Sequence, residues 1–295
     1  MNFHKKAVVL GGKTGLVGQA LVKTLEKANW EVHSLGRDDV DYTQKDSAPL
    51  LEGILRRLEP ACVFNTVAFT NVDAAEDDPE NATQLNRTLP ATLARLAKNH
   101  PLILVHYSTD FVFNGKKDTP YTPDDKPDPI NLYGQTKLAG EEAIIARELD
   151  RYLIIRTSWV FGPGRRNFIS AILEKCRNKE GLRIVHDQIG SPTYSEDLAA
   201  YSLKLLESGV SGLFHIANSG QASRCELADE AVDLSQFECS VTPVTSQDFP
   251  QKAKRPHQTV LDCSSFTKAT GIVPRPWPQA LRDYIFTHFN DNSPT

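Results

Sequence analysis

Residues 6–10 read as a short buried strand with the apolar run Ala7-Val8-Val9-Leu10, and Gly11-Gly12-Lys13-Thr14-Gly15-Leu16-Val17-Gly18 follows without a break, ahead of a helical pattern over 19–28. A strand running through a glycine loop into a helix leaves few folds open, because that order builds a phosphate-binding turn on a parallel sheet. Gly12, Gly15 and Gly18 keep a GxxGxxG spacing. The early glycines let the backbone approach a pyrophosphate, and the last lets helix pack closely on strand. The helix amino terminus adds unpaired N–H groups and partial positive charge for the same anion. Thr14, Leu16 and Val17 complete the loop as candidate cofactor contacts.

Further strands are expected over 30–35, 61–65, 102–107, 151–155 and 213–217, with helical segments between them over 50–58 and 81–99. Asp77-Asp78-Pro79-Glu80 reads as a capped turn into the second of these helices, and Ser195 as the cap of a helix over 195–207. This alternation implies an α/β fold, a doubly wound parallel sheet of the Rossmann type with a smaller carboxyl-terminal lobe. The dinucleotide-binding domain is expected over 1–160 and 183–218, and the substrate-binding lobe over 161–182 and 219–295.

The 295 residues are 40% hydrophobic, enough for a full α/β core, and the formal net charge of -4 gives no sign of a nucleic-acid or membrane surface. The first apolar run is too short for a signal segment, so a soluble cytoplasmic protein is expected. Cys62, Cys176, Cys225, Cys239 and Cys263 are scattered and form no CxxC pair, which suits reduced thiols.

The second strand ends in Gly36-Arg37-Asp38-Asp39. An acid at this strand end would hold a ribose 2′-hydroxyl, whereas an arginine suits a 2′-phosphate. Arg37 therefore leans the site toward NADPH, with NADH the alternative. Asp41 and Tyr42 are placed to contact the adenine, and residues 66–73, with Ala68 and Thr70, to form a third loop over the cofactor.

Chemistry concentrates downstream. The strand over 102–107 ends in Ser108-Thr109-Asp110, hydroxyls at the sheet edge where ligands bind in such folds. Tyr133 and Lys137 stand four apart at the start of a helical run and leave the same face. A cation there should stabilise the phenolate and lower the acidity constant of Tyr133 toward neutral pH. A hydroxyl, a tyrosine and a lysine behind a glycine loop resemble the short-chain dehydrogenase/reductase set.

Several stretches narrow that resemblance: residues 68–76, His106-Tyr107-Ser108-Thr109-Asp110-Phe111-Val112-Phe113-Asn114-Gly115, residues 131–141, residues 156–161, Asn167-Phe168 and residues 187–193. Together the chain resembles the dTDP-4-dehydrorhamnose reductase family. The resemblance implies that Tyr133 protonates the sugar C4 oxygen, Lys137 holds the nicotinamide ribose, and Thr109 hydrogen-bonds the carbonyl. It implies substrate contacts at Val72, Phe111, Trp159, Asn167 and Arg255, a nucleotide-sugar partner, and a homodimer as the available assembly. Nucleotide-sugar 4,6-dehydratases are similar but carry an acid where Phe111 stands here, so reduction is favoured over water elimination.

Residues 162–168 suit either a mobile loop meeting a diphosphate or a solvent-facing basic loop, and Trp159 suits either the sugar site or plain core. The sequence departs from the family at His257, after Arg255-Pro256, and at Phe69, Phe111 and Phe161, where tyrosine is common. Some members bind magnesium through glutamates. Ala20 takes one of those places and only Glu196 remains, so no metal is expected. Two other functions stay open: 4-keto reduction of another activated deoxysugar, and a non-catalytic regulatory role resembling the methionine adenosyltransferase β subunit.

Overall fold

The computed structural model describes residues 5–44 and 47–289. In chain order its strands are β1 (Lys6–Leu10), β2 (Glu31–Leu35), β3 (Cys62–Asn65), β4 (Ile103–Thr109), β5 (Tyr152–Thr157), β6 (Val160–Phe161), β7 (Leu182–Val185), β8 (Ile189–Gly190), β9 (Thr193–Tyr194), β10 (Gly212–His215), β11 (Ala222–Ser223) and β12 (Val241–Val244). Its helices are α1 (Leu16–Lys27), α2 (Ser47–Leu58), α3 (Val72–Asp77), α4 (Pro79–Thr83), α5 (Leu89–Asn99), α6 (Leu132–Ile145), α7 (Phe168–Arg177), α8 (Ser195–Glu207), α9 (Arg224–Ser235), α10 (Ser264–Thr270) and α11 (Trp277–His288).

Six strands pair in the order β10-β5-β4-β3-β1-β2, every pair parallel. Residues alternate between the two faces. Ala7, Val9 and Phe64 enter one core with Leu21, Leu198 and Leu206, while Val8, Leu10 and Val63 enter the other with Leu51, Leu93 and Leu96. Helices cover both faces, which is why the strands read as continuous apolar runs. Strand order reverses at β1 and β3, and the crevice at their carboxyl ends is where ligands settle in this topology.

A second body of apolar contacts joins α7, α9 and α11 through Ile169, Leu173, Leu227, Ala231, Leu281 and Ile285. Beside it, β7 pairs with β12 rather than with the six-stranded sheet, although the sequence groups residues 183–185 with the sheet. Cys176 and Cys239 form a disulfide here, correcting the expectation of reduced thiols throughout. The end of α7 and the approach to β12 are packed so that the two Cα atoms stand 5.2 Å apart, a proximity that a sequence separation of 63 conceals. Cys62, Cys225 and Cys263 are free.

Local differences have local causes. The expected helix over 81–99 opens into a π-helical turn at Gln84–Thr88, because Pro90 has no N–H to give the Asn86 carbonyl. Tyr194, not Ser195, precedes α8 as its cap residue and gives no side-chain cap; the Ser195 hydroxyl is buried without a partner. Asp78 does cap α4, accepting from the Asn81 N–H at 3.2 Å.

Candidate active site

A cleft of about 550 Å³ runs along the carboxyl ends of β1, β3, β4 and β5 and under the loop before α7. Its nucleotide half is built mainly from backbone. Gly11 turns the chain at φ 81°, and the Gly15 N–H donates to its carbonyl at 2.8 Å. A Cβ on Gly18 would lie 2.4 Å from that same carbonyl oxygen, so α1 can reach β1 only through glycine. Gly12 packs against Ser34 in the same way, and neither Gly12 nor Gly18 lines the cleft, whereas Thr14, Gly15, Leu16 and Val17 do. No side chain caps α1 and no acid lies in its first turn, leaving its first N–H groups open to an anion. These features fit the diphosphate of a dinucleotide.

Arg37, Asp41, Tyr42, Ala68 and Thr70 also line this half. Two acids that could compete with Arg37 are occupied. Asp39 accepts the Gly36 N–H at 2.7 Å and pairs with Lys13 at 2.6 Å, and Asp41 accepts the Thr43 hydroxyl at 2.7 Å. Asn86 braces the third loop, taking the Phe69 N–H at 2.9 Å and donating to Thr136 at 3.1 Å.

The candidate chemical centre lies where β4 meets α6. Asn131 caps α6 by accepting the Gly134 N–H at 2.8 Å, and its amide donates to the Lys254 carbonyl at 2.8 Å. Further along, Glu141 forms a buried two-pronged pair with Arg156 at 2.7 and 2.9 Å and also accepts from Ser108. This pair pins the helix that presents Tyr133 and Lys137, and both side chains reach the cleft beside Thr109.

The acidity of Tyr133 runs opposite to expectation. Burial pushes its phenol up to about 12, Thr109 works against that by hydrogen bonding, and the Asp110 charge adds to it. Lys137 gives no offset because its Nζ is turned to the Tyr107 carbonyl at 2.5 Å and stands 3.4 Å from His106 Nε2. Burial brings Lys137 itself down to about 8, with Glu141 opposing. At neutral pH the phenol therefore keeps a proton to give, and most of the lysine stays charged.

The half of the cleft under the loop before α7 departs furthest from the sequence reading. Trp159 lines the cleft with a left-handed backbone, φ 47°, a conformation a bulky residue holds only under constraint. Arg224, absent from the expected set, lies over its indole at 3.6 Å and over Phe168 at 5.1 Å. Burial lowers this guanidinium to about 10, with Asp110 raising it and Arg255 lowering it. Asn167 lines the cleft, but its polar atoms serve the loop. Its oxygen caps α7, and its amide reaches the Gly162 carbonyl at 2.8 Å and the Tyr284 hydroxyl at 3.1 Å.

Phe111, Val72 and Arg255 are not in the cleft wall. Phe111 stands edge-on to Tyr133 at 5.9 Å, Val72 opens α3, and Arg255 pairs with Asp73 at 2.8 Å. Two groups that the sequence gives no role in the chemistry are buried beside the centre: Asp110, which accepts from Thr259, and His106, an isolated histidine expected in the core or on the surface, wholly enclosed beneath Lys137. A polar residue within an apolar strand was the available signal for His106; nothing local marks Arg224. Glu196 pairs with Lys23 at 2.5 Å, and among the described residues no His, Cys, Asp and Glu cluster suited to a metal is found.

The RmlD substrate binding domain family model matches residues 6–289. The chain is 38% identical to the spore coat polysaccharide biosynthesis protein SpsK of Bacillus subtilis, over 94% of this chain and 96% of that one. It is 37% identical to the dTDP-4-dehydrorhamnose reductase of Mycolicibacterium smegmatis, covering 96% and 89%. The crystal structure of dTDP-4-dehydrorhamnose reductase from Bacillus anthracis in complex with NADP superposes with a TM-score of 0.91 at 27% identity, covering 96% of this chain and 99% of that one. With the glycine turn, Thr109, Tyr133 and Lys137 in one cleft, the chain belongs to the dTDP-4-dehydrorhamnose reductase family of extended short-chain dehydrogenases/reductases.

Proposed function

We propose that this protein reduces the C4 ketone of dTDP-4-dehydro-6-deoxy-L-mannose to give dTDP-L-rhamnose, using NADPH. The observation that carries the reading is the convergence of Thr109, Tyr133 and Lys137 on the cleft that the glycine turn opens. The dinucleotide, held along Gly15, Leu16, Val17, Arg37, Ala68 and Thr70, supplies the hydride. Thr109 donates a hydrogen bond to the C4 oxygen, and Tyr133 delivers a proton to it as charge develops. Lys137 holds the ribose and keeps a positive charge near the developing alkoxide. Trp159 and the loop before α7 form the sugar wall. Arg255, 13% exposed at its side chain and tied to Asp73, meets the substrate phosphates when that pair opens.

The division of labour is a nucleotide-binding domain on the six-stranded sheet and a substrate lobe on α7, α9 and α11. Among the described residues no helix is long and apolar enough to cross a membrane. The proposed setting is the cytoplasm and the proposed assembly a homodimer, as light scattering would show. The deciding experiment follows NADPH oxidation at 340 nm with dTDP-4-dehydro-L-rhamnose and identifies the sugar formed. Consumption with dTDP-L-rhamnose as product is expected; no consumption above blank would turn the assignment toward a non-catalytic role.

A further inference from the structure

Beneath Lys137 lies a line of buried polar groups that proton transfer from Tyr133 does not use directly. His106 and Asn65 are both fully enclosed. The Asn65 oxygen accepts the Val67 N–H at 3.3 Å, so its amide nitrogen faces His106 Nδ1 at 3.0 Å and donates to it. An uncharged ring that accepts at Nδ1 carries its proton on Nε2. Nε2 stands 3.4 Å from Lys137 Nζ. An ammonium has no lone pair to receive that N–H; a neutral amine has one.

We propose that Asn65 and His106 are a positioning pair: Asn65 fixes the imidazole so that its Nε2–H points at Lys137 and favours the neutral amine over the ammonium. The Tyr107 carbonyl, 2.5 Å away, accepts from either form, so the imidazole is the partner that discriminates. Burial and the Lys137 charge together hold His106 well below the usual imidazole range, which keeps the ring uncharged at working pH. When Lys137 gives up a proton to solvent in the cleft it lines, the N–H bond on Nζ breaks, the nitrogen keeps the electron pair, and that pair accepts from Nε2. The same solvent returns the proton in the reverse step. The pair also joins Lys137 to the loop after β3, since Val67 lines the same cleft.

Other charges near Lys137 are fixed by partners outside this line. Glu141 on the same helix is paired with Arg156 of β5, Asp110 after β4 is bound by Thr259, Glu76 of α3 accepts the Leu132 N–H, and Arg87 opposite α6 is exposed. Tyr133, one turn before, is protonated throughout the range tested. Substitutions at Asn65 and His106 leave all of these in place.

The inference rests on Lys137 contacting the coenzyme, and the test separates the two. NADPH affinity is measured by fluorescence across the pH range either side of about 8, where Lys137 titrates, alongside kcat and KM for the ketosugar and the melting temperature. Wild type should show an inflection. In His106→Phe and in Asn65→Leu, which frees the ring to offer a lone pair instead, the inflection should move up by ~0.5–1 pH unit, the worth of one buried hydrogen bond. In His106→Gln, whose amide presents an N–H, it should return toward wild type. A merely structural role would lower the melting temperature and leave the inflection still. An inflection unmoved or lowered in both apolar variants overturns the pairing; absence of any inflection in wild type removes the assignment of Lys137 on which it stands.

Discussion

The two halves of the cleft are made differently. On the nucleotide side the binding groups are backbone N–H groups and glycines close together in sequence, held by β1 and α1. On the side proposed for the sugar, Trp159, Phe168 and Arg224 come from three separated segments and meet through the packing of α7 against α9. A site of the first kind is rigid and tolerates little added volume. A site of the second kind owes its shape to side-chain contacts that can be removed singly, so substitutions on the two sides should fail in different ways.

The largest effect is expected between the halves. Tyr133→Phe removes the phenolic proton that the cleft offers next to Thr109, and turnover should fall by at least ~10²-fold with NADPH affinity little changed. Stopped-flow measurement of hydride transfer with separate coenzyme titration checks this. Unaltered turnover would take Tyr133 out of its role and leave the comparison without a centre.

Gly18→Ala attacks the rigid half. Its Cβ would meet the Gly11 carbonyl oxygen at 2.4 Å and the Gly12 Cα at 2.8 Å, backbone atoms that cannot rotate away. Overpacking of this kind costs ~1–3 kcal/mol and pushes α1 off β1. NADPH affinity should drop by ~10-fold or more, with a lower melting temperature, and calorimetry reads both. Normal binding would show that the turn has slack the geometry denies it.

How far each half is legible in the sequence follows the same division. The glycine spacing, the strand before it and the Tyr133–Lys137 spacing are local, and the structure brings them to one cleft. Arg224 and the Cys176–Cys239 disulfide depend on contacts between distant segments, so no spacing announces them. The acidity of Tyr133 departs from what its spacing implies for a subtler reason. Helical spacing places Lys137 on the right face, but only β4 in three dimensions shows its ammonium drawn to the Tyr107 carbonyl.

Arg37→Ala tests the selectivity of the nucleotide half without touching its backbone. With Asp39 held by Lys13 and the Gly36 N–H, Arg37 is the cleft-lining group suited to a 2′-phosphate. A charge-assisted bond of this type corresponds to roughly 10-fold or more in affinity. NADPH should therefore weaken by about that factor while NADH stays near its starting value. Equal losses for the two coenzymes would mean Arg37 shapes the loop and does not read the phosphate.

Arg224→Ala should have the smallest effect and bears most directly on the contrast. The guanidinium lies 3.6 Å over the Trp159 indole, and a stacked cation is worth ~0.5–2 kcal/mol. Trp159 holds a left-handed backbone at φ 47°, so loss of the cover lets the indole relax out of the sugar wall. KM for the ketosugar should rise by ~3- to 10-fold, kcat should change less, and NADPH affinity should not move, because Arg224 stacks on Trp159 and Phe168 rather than on the glycine turn's helix. Arg224→Lys keeps the charge but loses the flat stacking surface, and it should resemble alanine more than wild type. If lysine restored KM fully, the residue would act through its charge on the substrate and not through Trp159, and the sugar wall would then share the electrostatic logic of the nucleotide half.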